Sequence, residues 1–240
     1  MTKDLVQIAK EFAIEAHTGT NHLYDGKPYA DAHLEDVVRW GLRFIHLIPV
    51  EHQKTVLASL WGHDTFEDCR KTYNDIKRAL GEKVADIIYA LSNEKGKGRK
   101  DRADARYFMG IRQEEFADFG KWCDRLANAS NSVRTGHGML KVHIAEHAHY
   151  KEELYHKHHY RYAALVHELD KLLCTEEELN VIAAGSVVSI PTLSPSGLFV
   201  IESIYSRFEN KHPETYVNVM NIDNPNEKHN CVALDSIRHF

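Results

Sequence analysis

The sequence predicts a mainly α-helical protein: a helical bundle over residues 1–180, then a small antiparallel β domain, a barrel or a sandwich, over residues 181–240. Apolar residues recur at helical spacing through most of the first 173 positions. Before about residue 180, no segment has the alternating, β-branched pattern typical of a strand. After it, short alternating segments are separated by turn residues, and this change of pattern sets the predicted boundary.

The helical spacing assigns helices to residues 4–17, 34–47, 50–63, 73–80, 83–91 and 114–133, with two more within 139–173. Pro49 is a start signal for the third of these, and Gly81 separates the fourth from the fifth. Each helix has an apolar face that must be covered by a neighbour, which predicts an all-α bundle.

Strands are predicted at residues 186–190, 198–204, 215–222 and 231–237. About 60 residues is marginal for an independent fold, so we expect this domain to pack on the helical one. It resembles no family. It could line the active site, mediate homo-oligomerisation or bind a partner.

Composition indicates a globular, cytoplasmic protein. Hydrophobic residues make up 43% of the 240 residues and charged residues 27%. The net charge of −5 argues against nucleic-acid binding, which normally needs a basic face. No apolar stretch approaches the ~18–20 residues that span a bilayer, and no signal-peptide core follows the N-terminus. The 4 cysteines show no C-x-x-C spacing, which indicates reduced thiols.

The most informative motif is His63-Asp64, with Glu67 and Asp68 one helical turn later. An imidazole nitrogen and a carboxylate oxygen side by side suit a divalent metal. Because positions three and four apart share a helix face, Glu67 and Asp68 place acid/base groups beside that metal.

Two further polar residues lie within amphipathic helical patterns and could complete the site. They are His33 and Asp124. A His-His-Asp-Asp set suits manganese, iron, zinc or cobalt and leaves coordination positions open for water and substrate.

The order of these motifs resembles the signature of the HD-superfamily metal-dependent phosphohydrolases. The similarity is greater to the RelA/SpoT-type alarmone hydrolases and their small single-domain relatives. The residues that carry it are, in order, Ala16-His17-Thr18-Gly19, Gly26-Lys27-Pro28-Tyr29 followed by His33, His63-Asp64-Thr65-Phe66-Glu67-Asp68, and Cys123-Asp124-Arg125-Leu126-Ala127-Asn128. They span roughly the first two thirds of the chain, and four ordered motifs are more specific than one His-Asp pair.

The resemblance implies an HD-domain helical bundle and a role for each matching residue. His33, His63, Asp64 and Asp124 would bind the metal, with Mn²⁺ the first expectation and Fe, Co, Zn or Mg as other candidates. Glu67 and Asp68 would transfer protons and orient the attacking water. Asn128 would contact a nucleotide substrate. His17 and Tyr29 are more typical of structural residues.

Basic residues that could contact the substrate phosphates lie in two segments. Where the alarmone hydrolases carry a basic Arg-Lys pair, this chain has Thr20-Asn21-His22-Leu23-Tyr24-Asp25, in which His22 alone could supply positive charge. Arg99 and Arg102 lie in a glycine-containing basic segment, 93–102. That segment is either a phosphate clamp or a solvated surface loop.

A second metal motif competes with the first. His143, Glu146 and His147 form H-x-x-E-H, a pattern of zinc metalloproteases. With 17 histidines in the chain, a chance match of this length is expected, and no flanking feature supports it. A surface or incidental metal-binding face is the simpler interpretation.

The sequence thus predicts a metal-dependent phosphohydrolase that cleaves a phosphate ester or anhydride of a nucleotide. Candidate substrates are (p)ppGpp, cleaved at the 3′-pyrophosphate, other 3′-phosphorylated nucleotides, and nucleoside mono- or triphosphates. The alternatives are an HD-type dNTP phosphohydrolase or nucleotidase, a non-catalytic nucleotide sensor and, remotely, the metalloprotease.

Overall fold

A computed structural model describes residues 4–92, 104–179, 181–209 and 212–239. The chain divides into two compact units, Met1–Arg134 and Thr135–Phe240. Within the described residues the protein is mainly helical, with an antiparallel sheet near the C-terminus, as the sequence predicts. The helices of residues 139–173 belong to the same compact unit as the sheet, so the units divide earlier than residue 180.

The helices of the first unit match the predicted segments closely. They are α1 (Leu5–Gly19), α2 (Glu35–Arg43), α3 (Gln53–Gly62), α4 (Thr65–Asp68), α5 (Tyr73–Leu80), α6 (Glu82–Leu91), α7 (Ala105–Gln113) and α8 (Ala117–Thr135). A π-helical segment, Ala30–Leu34, leads into α2. Helix α7 was not predicted, and the predicted helix 34–47 ends earlier, at Arg43, and is followed by a 3-10 turn, Ile45–Leu47.

Helix α3 is the centre of the first unit, because it packs against α1, α2 and α6. Its residues from Ala58 to Gly62 are all buried. The approach of α6 is close: a β-carbon at Gly62 would lie 2.6 Å from Cδ1 of Ile88. The C-terminal end of α3 is therefore held tightly on several sides.

A short hairpin, β1 (Leu23–Tyr24) and β2 (Lys27–Pro28), precedes the π-helical segment. Its two-residue loop is Asp25-Gly26, with φ angles of 50° and 78°. Such a loop needs left-handed backbone at both positions, which aspartate tolerates and glycine prefers. This hairpin corrects the prediction of no strand before residue 180.

The second unit contains α9 (Met139–Lys151), a π-helical segment (Glu152–His156), α10 (Ala163–Leu173), α11 (Glu176–Leu179) and the strands β3 (Val187–Ser189), β4 (Leu198–Glu209), β5 (His212–Asn221), β6 (Lys228–Ala233) and β7 (Arg238–His239). The sheet is antiparallel, with strand order β6-β5-β4-β3-β7. The predicted strand 231–237 lies partly in β6 and partly in a 3-10 turn, Leu234–Ser236. A barrel or sandwich arrangement stays a prediction.

Apolar side chains from the strands form one buried cluster, comprising Val188, Ile190, Phe199, Ile201, Val217, Val219 and Ile237. Alternate residues of β4 and β5 contribute to it, as expected for a strand with one covered face. Within the residues that the structure describes, no helix is both long and apolar enough to cross a membrane.

Candidate metal centre

Three elements of the first unit position the four predicted ligands. His33 lies in the π-helical segment, and Asp124 lies on α8. His63 and Asp64 connect α3 to α4. Because α3 is packed on several sides, the His-Asp pair at its end is anchored to the core of the unit.

The ligand atoms of His33, His63 and Asp64 all lie within 4.8 Å of one another. Nε2 of His33 is 3.6 Å from Oδ2 of Asp64, and Nε2 of His63 is 2.8 Å from the same oxygen. Both imidazoles are buried, so these nitrogens converge on one carboxylate away from bulk water.

Asp124 approaches the same imidazoles from α8. Its Oδ1 lies 3.4 Å from Nε2 of His33 and 3.9 Å from Nε2 of His63. The structure therefore brings together all four side chains that the sequence pattern singled out. We call them the N-terminal cluster.

His63 has the hydrogen bonding of a metal-binding histidine. Its Nδ1 is 2.9 Å from the carbonyl oxygen of Leu60, so Nδ1 carries the proton and donates it. Its buried Nε2 has no hydrogen-bond partner, although it lies close to Asp64. An imidazole that donates one N–H to a carbonyl and directs the other nitrogen at a carboxylate fits a metal ligand. The cluster can hold a metal ion, and its ligand types do not fix which one.

Tyr29 holds the Asp64 carboxylate from the other side. Its hydroxyl donates to Oδ2 of Asp64 at 2.5 Å. Burial and the Asp64 charge raise the pKa of Tyr29 well above its usual value, so the hydroxyl keeps its proton. The sequence pattern assigned Tyr29 a structural role; the structure places it in contact with a candidate ligand.

Two residues of α8 hold Asp124. Nζ of Lys121 donates to Oδ2 at 2.9 Å, and Nδ2 of Asn128 donates to Oδ1 at 2.6 Å. The side-chain oxygen of Asn128, Oδ1, in turn accepts a hydrogen bond from the Tyr24 hydroxyl at 2.9 Å. The Asn128 amide is thus engaged in orienting Asp124, whereas the resemblance implied a nucleotide contact. Lys121 was not predicted, although its position three residues before Asp124 places it on the same helix face.

The electrostatics of the cluster keep both carboxylates ionised. Burial by itself would raise the pKa of each carboxyl group. At Asp64 the interaction with His63 is stronger than the effect of burial, and at Asp124 the interactions with Lys121 and His33 are stronger, so both pKa values are lowered. At His63, burial disfavours protonation, yet the Asp64 carboxylate prevails and raises the pKa to about 9. The site thus favours positive charge at its centre.

The hairpin connects this centre to the far end of α8. Tyr24 reaches Asn128, and Oδ2 of Asp25 accepts from Nδ2 of Asn131 at 2.9 Å. The Asp-Gly turn was the sequence signal that could have revealed this hairpin.

His17, His22 and Tyr29 form a stack of rings beside the centre. The ring centroids of His22 and Tyr29 are 3.9 Å apart, and those of His17 and Tyr29 are 4.6 Å apart. Burial lowers the pKa of His17 to about 4, so it is neutral at pH 7. His22, the predicted phosphate contact, lies 3.8 Å from Oδ2 of Asp68 through its Nδ1.

The two predicted proton-transfer groups lie on α4 and are exposed. The Asp68 side chain is 39% exposed, and the partial burial of its carboxyl group together with the neighbouring Asp64 charge raises the pKa of Asp68. Asp68 therefore interacts electrostatically with the N-terminal cluster. The role of Glu67 in proton transfer stays a prediction.

Other predicted residues lie elsewhere. Arg99 and Arg102 lie outside the described residues. His143, Glu146 and His147 lie on α9, where both histidines are buried. Among the described residues, His147 groups with Asp170 and Cys174 as metal-binding side chains, and His143 is in neither such group.

A cavity of about 530 Å³ in the first unit is separate from this chemistry. It is lined by Phe66, Asp86, Tyr89, Ala90, Ser92, Arg106, Tyr107, Gly110, Gln113 and Glu114. None of the N-terminal cluster lines it. The convergent ligands, and not this cavity, define the candidate site.

Comparison with protein-family models and with curated proteins gives no match to this chain.

Proposed function

We propose that the protein is a metal-dependent phosphohydrolase of the HD type that acts on a nucleotide. The observation that carries the proposal is the convergence of His33, His63, Asp64 and Asp124 from three elements. The spacing of these residues, which resembles the HD signature, supports the same conclusion independently of their geometry.

The ligand types determine which ions suit the site. Two imidazole nitrogens with two carboxylates favour a borderline divalent ion, of which Mn²⁺ is our first candidate, with Fe, Co, Zn or Mg also admitted. When bound, the ion neutralises a phosphoryl oxygen and lowers the pKa of a water to about 7.

The protein's own residues then have defined tasks. Tyr29 keeps the Asp64 carboxylate in place, and Lys121 with Asn128 does the same for Asp124. Asp68 accepts the proton of the attacking water. Its raised pKa makes it a stronger base than an ordinary aspartate, which favours this transfer.

The substrate class follows from the resemblance and from the charge of the site. An imidazole, His22, lies where the alarmone hydrolases carry an Arg-Lys pair. The stacked rings of His22 and Tyr29 offer a flat surface beside the cluster. We propose a 3′-phosphorylated nucleotide, with (p)ppGpp as one member of the class.

The test is phosphate and pyrophosphate release from a nucleotide panel, with Mn²⁺ and with a chelator. Asp64→Asn removes one ligand charge while keeping the side-chain size. Asp31→Asn is the matched control, because Asp31 is an exposed aspartate in the same segment as His33. We expect metal-dependent release that Asp64→Asn lowers by more than about 100-fold and Asp31→Asn leaves unchanged.

Two outcomes would contradict the proposal. Equal release with metal and with chelator would exclude metal-dependent hydrolysis. Tight Mn²⁺ binding without turnover of any nucleotide would favour the non-catalytic sensor.

A further inference from the structure

A second group of metal-binding side chains lies in the second unit. One ligand atom from each of His147, Asp170 and Cys174 lies within 4.8 Å of the other two. His147 lies on α9 and Asp170 on α10, and Cys174 directly follows the last residue of α10. The backbone N–H of Cys174 donates to the carbonyl oxygen of Asp170 at 2.8 Å, which keeps the two residues together at the end of the helix.

We propose that His147, Asp170 and Cys174, the C-terminal cluster, bind a zinc ion. This site is independent of the proposed hydrolase activity. It uses none of the residues of the N-terminal cluster, and it differs from the H-x-x-E-H pattern in pairing His147 with Asp170 and Cys174.

The distances suit a small ion after a minor adjustment. Nε2 of His147 is 2.6 Å from Oδ1 of Asp170, and Sγ of Cys174 is 3.7 Å from the same oxygen. Zinc binds nitrogen and oxygen at about 2.0–2.2 Å and sulfur at about 2.3 Å in a tetrahedral arrangement, so the nitrogen and oxygen must move apart by roughly 0.7 Å while the sulfur is already far enough from the oxygen. Three protein ligands leave a fourth position for water.

The burial of the cluster gives a reason for a cation there. The His147 side chain is 5% exposed and that of Asp170 is 15% exposed. Nδ1 of His147 is also buried without a hydrogen-bond partner. A buried carboxylate needs a countercharge, since desolvating it alone is costly.

Lys151 supplies that countercharge in the structure. Its Nζ lies 3.1 Å and 3.0 Å from the two oxygens of Asp170. Lysine is a flexible point charge with an exposed route to solvent, so an entering metal ion can displace it. Lys151 is thus a competitor for the metal.

Sulfur gives this cluster its selectivity. A thiolate favours zinc over the harder manganese and magnesium ions. Binding converts the Cys174 thiol to a thiolate and releases one proton to solvent. No change of oxidation state is involved.

The experiment is a Co²⁺ titration of the full chain, read by ultraviolet absorption. Cobalt replaces zinc at such sites, and a thiolate ligand gives a sulfur-to-cobalt charge-transfer band that nitrogen and oxygen ligands do not give. We expect the band in the wild type, its loss in Cys174→Ser, and its displacement by Zn²⁺. Cys69→Ser is the matched control, since Cys69 is a free cysteine of the first unit, and it should keep the band.

Lys151→Gln provides a second, independent variant. Removal of the competing charge should tighten Co²⁺ binding on the order of tenfold. In the unmodified chain, Zn²⁺ should also slow alkylation of Cys174, mapped by mass spectrometry. This measurement needs no variant to fold.

The proposal is overturned if the wild type shows no charge-transfer band. It is also overturned if the band survives in Cys174→Ser or disappears in Cys69→Ser. Unchanged or weaker binding by Lys151→Gln, or alkylation of Cys174 that Zn²⁺ does not slow, contradicts it equally.

Discussion

The N-terminal and C-terminal clusters use similar side chains but balance charge differently. In the N-terminal cluster, Lys121 neutralises Asp124, and Asp64 remains ionised between two imidazoles and the neutral donor Tyr29. In the C-terminal cluster, Lys151 already neutralises the one carboxylate, Asp170. The comparison shows that a metal ion meets a different competitor in each cluster. In the N-terminal cluster it is the proton on His63, whose pKa is raised to about 9, and in the C-terminal cluster it is the ammonium group of Lys151.

The largest expected effect is a loss of Mn²⁺ affinity when a histidine of the N-terminal cluster, but not of the C-terminal cluster, is removed. We expect His33→Ala to weaken Mn²⁺ binding by more than about 100-fold, because a first ligand is lost. His147→Ala should leave Mn²⁺ binding within about twofold, since its cluster contains the softer sulfur ligand. Isothermal titration calorimetry measures the Mn²⁺ affinity of both variants. Equal losses of affinity would show that the two clusters do not differ in their preference for Mn²⁺.

A smaller effect tests how Asp64 is held. Tyr29→Phe removes the hydroxyl that donates to Oδ2 of Asp64. Loss of such a supporting hydrogen bond lowers metal affinity or activity by about 10–100-fold. Tyr73→Phe is the matched control, because the Tyr73 hydroxyl donates to Asp86, which does not belong to the cluster. Equal effects in both variants would show that the Tyr29 contact does not support the metal ligand.

The ring stack predicts a pH-dependent stability for the first unit. The pKa of His17 is lowered from 6.5 to about 4, chiefly by burial. Between pH 4 and pH 6.5 the unfolded state therefore binds more protons than the folded state. The contribution of His17 to the free energy of unfolding is complete above pH 6.5 and declines as the pH falls towards 4. We expect a loss of about 2 kcal/mol in unfolding free energy between pH 7 and pH 5 from this group.

Urea unfolding of the wild type and His17→Gln at both pH values measures this contribution. The variant should show a shallower pH dependence, whatever its stability at pH 7. Parallel pH profiles for the two proteins would refute the assignment.

The smallest predicted effect concerns the second unit. Gly185 has a φ of +90°, and a β-carbon there would lie 2.9 Å from Cε1 of Tyr160. Gly185→Ala should therefore cost about 1–2 kcal/mol in stability. Gly138→Ala, where a β-carbon meets nothing within 4 Å, should cost less. Thermal unfolding distinguishes them, and equal melting temperatures would contradict this reasoning.

Sequence reasoning predicted most helices of the first unit and singled out the four side chains that meet in the N-terminal cluster. The helices carry a 3.6-residue periodicity, and His33, His63, Asp64 and Asp124 have a recognisable order. Neither signal depends on tertiary contacts.

The supporting residues were harder to predict. Tyr29 is identified by its contact with Asp64, which lies 35 residues further along the chain. Lys121 lies only one helical turn before Asp124, but its role is recognisable only once Asp124 is placed in the cluster. Asp170 and Cys174 belong to no motif and come together with His147 only through the packing of α9 on α10. The hairpin of residues 23–28 has strands too short to show a period, although its Asp-Gly turn is a known signal.

The hairpin has a consequence for the order of assembly. Its bonds to α8 close loops of 104 residues at Asn128 and 106 residues at Asn131. Contacts of such sequence separation form late, since the loop entropy must be lost first. We therefore expect metal affinity to appear in the last steps of folding, so that metal uptake marks a finished first unit. A nascent chain that has not yet released α8 from the ribosome would carry three ligands and no functional centre.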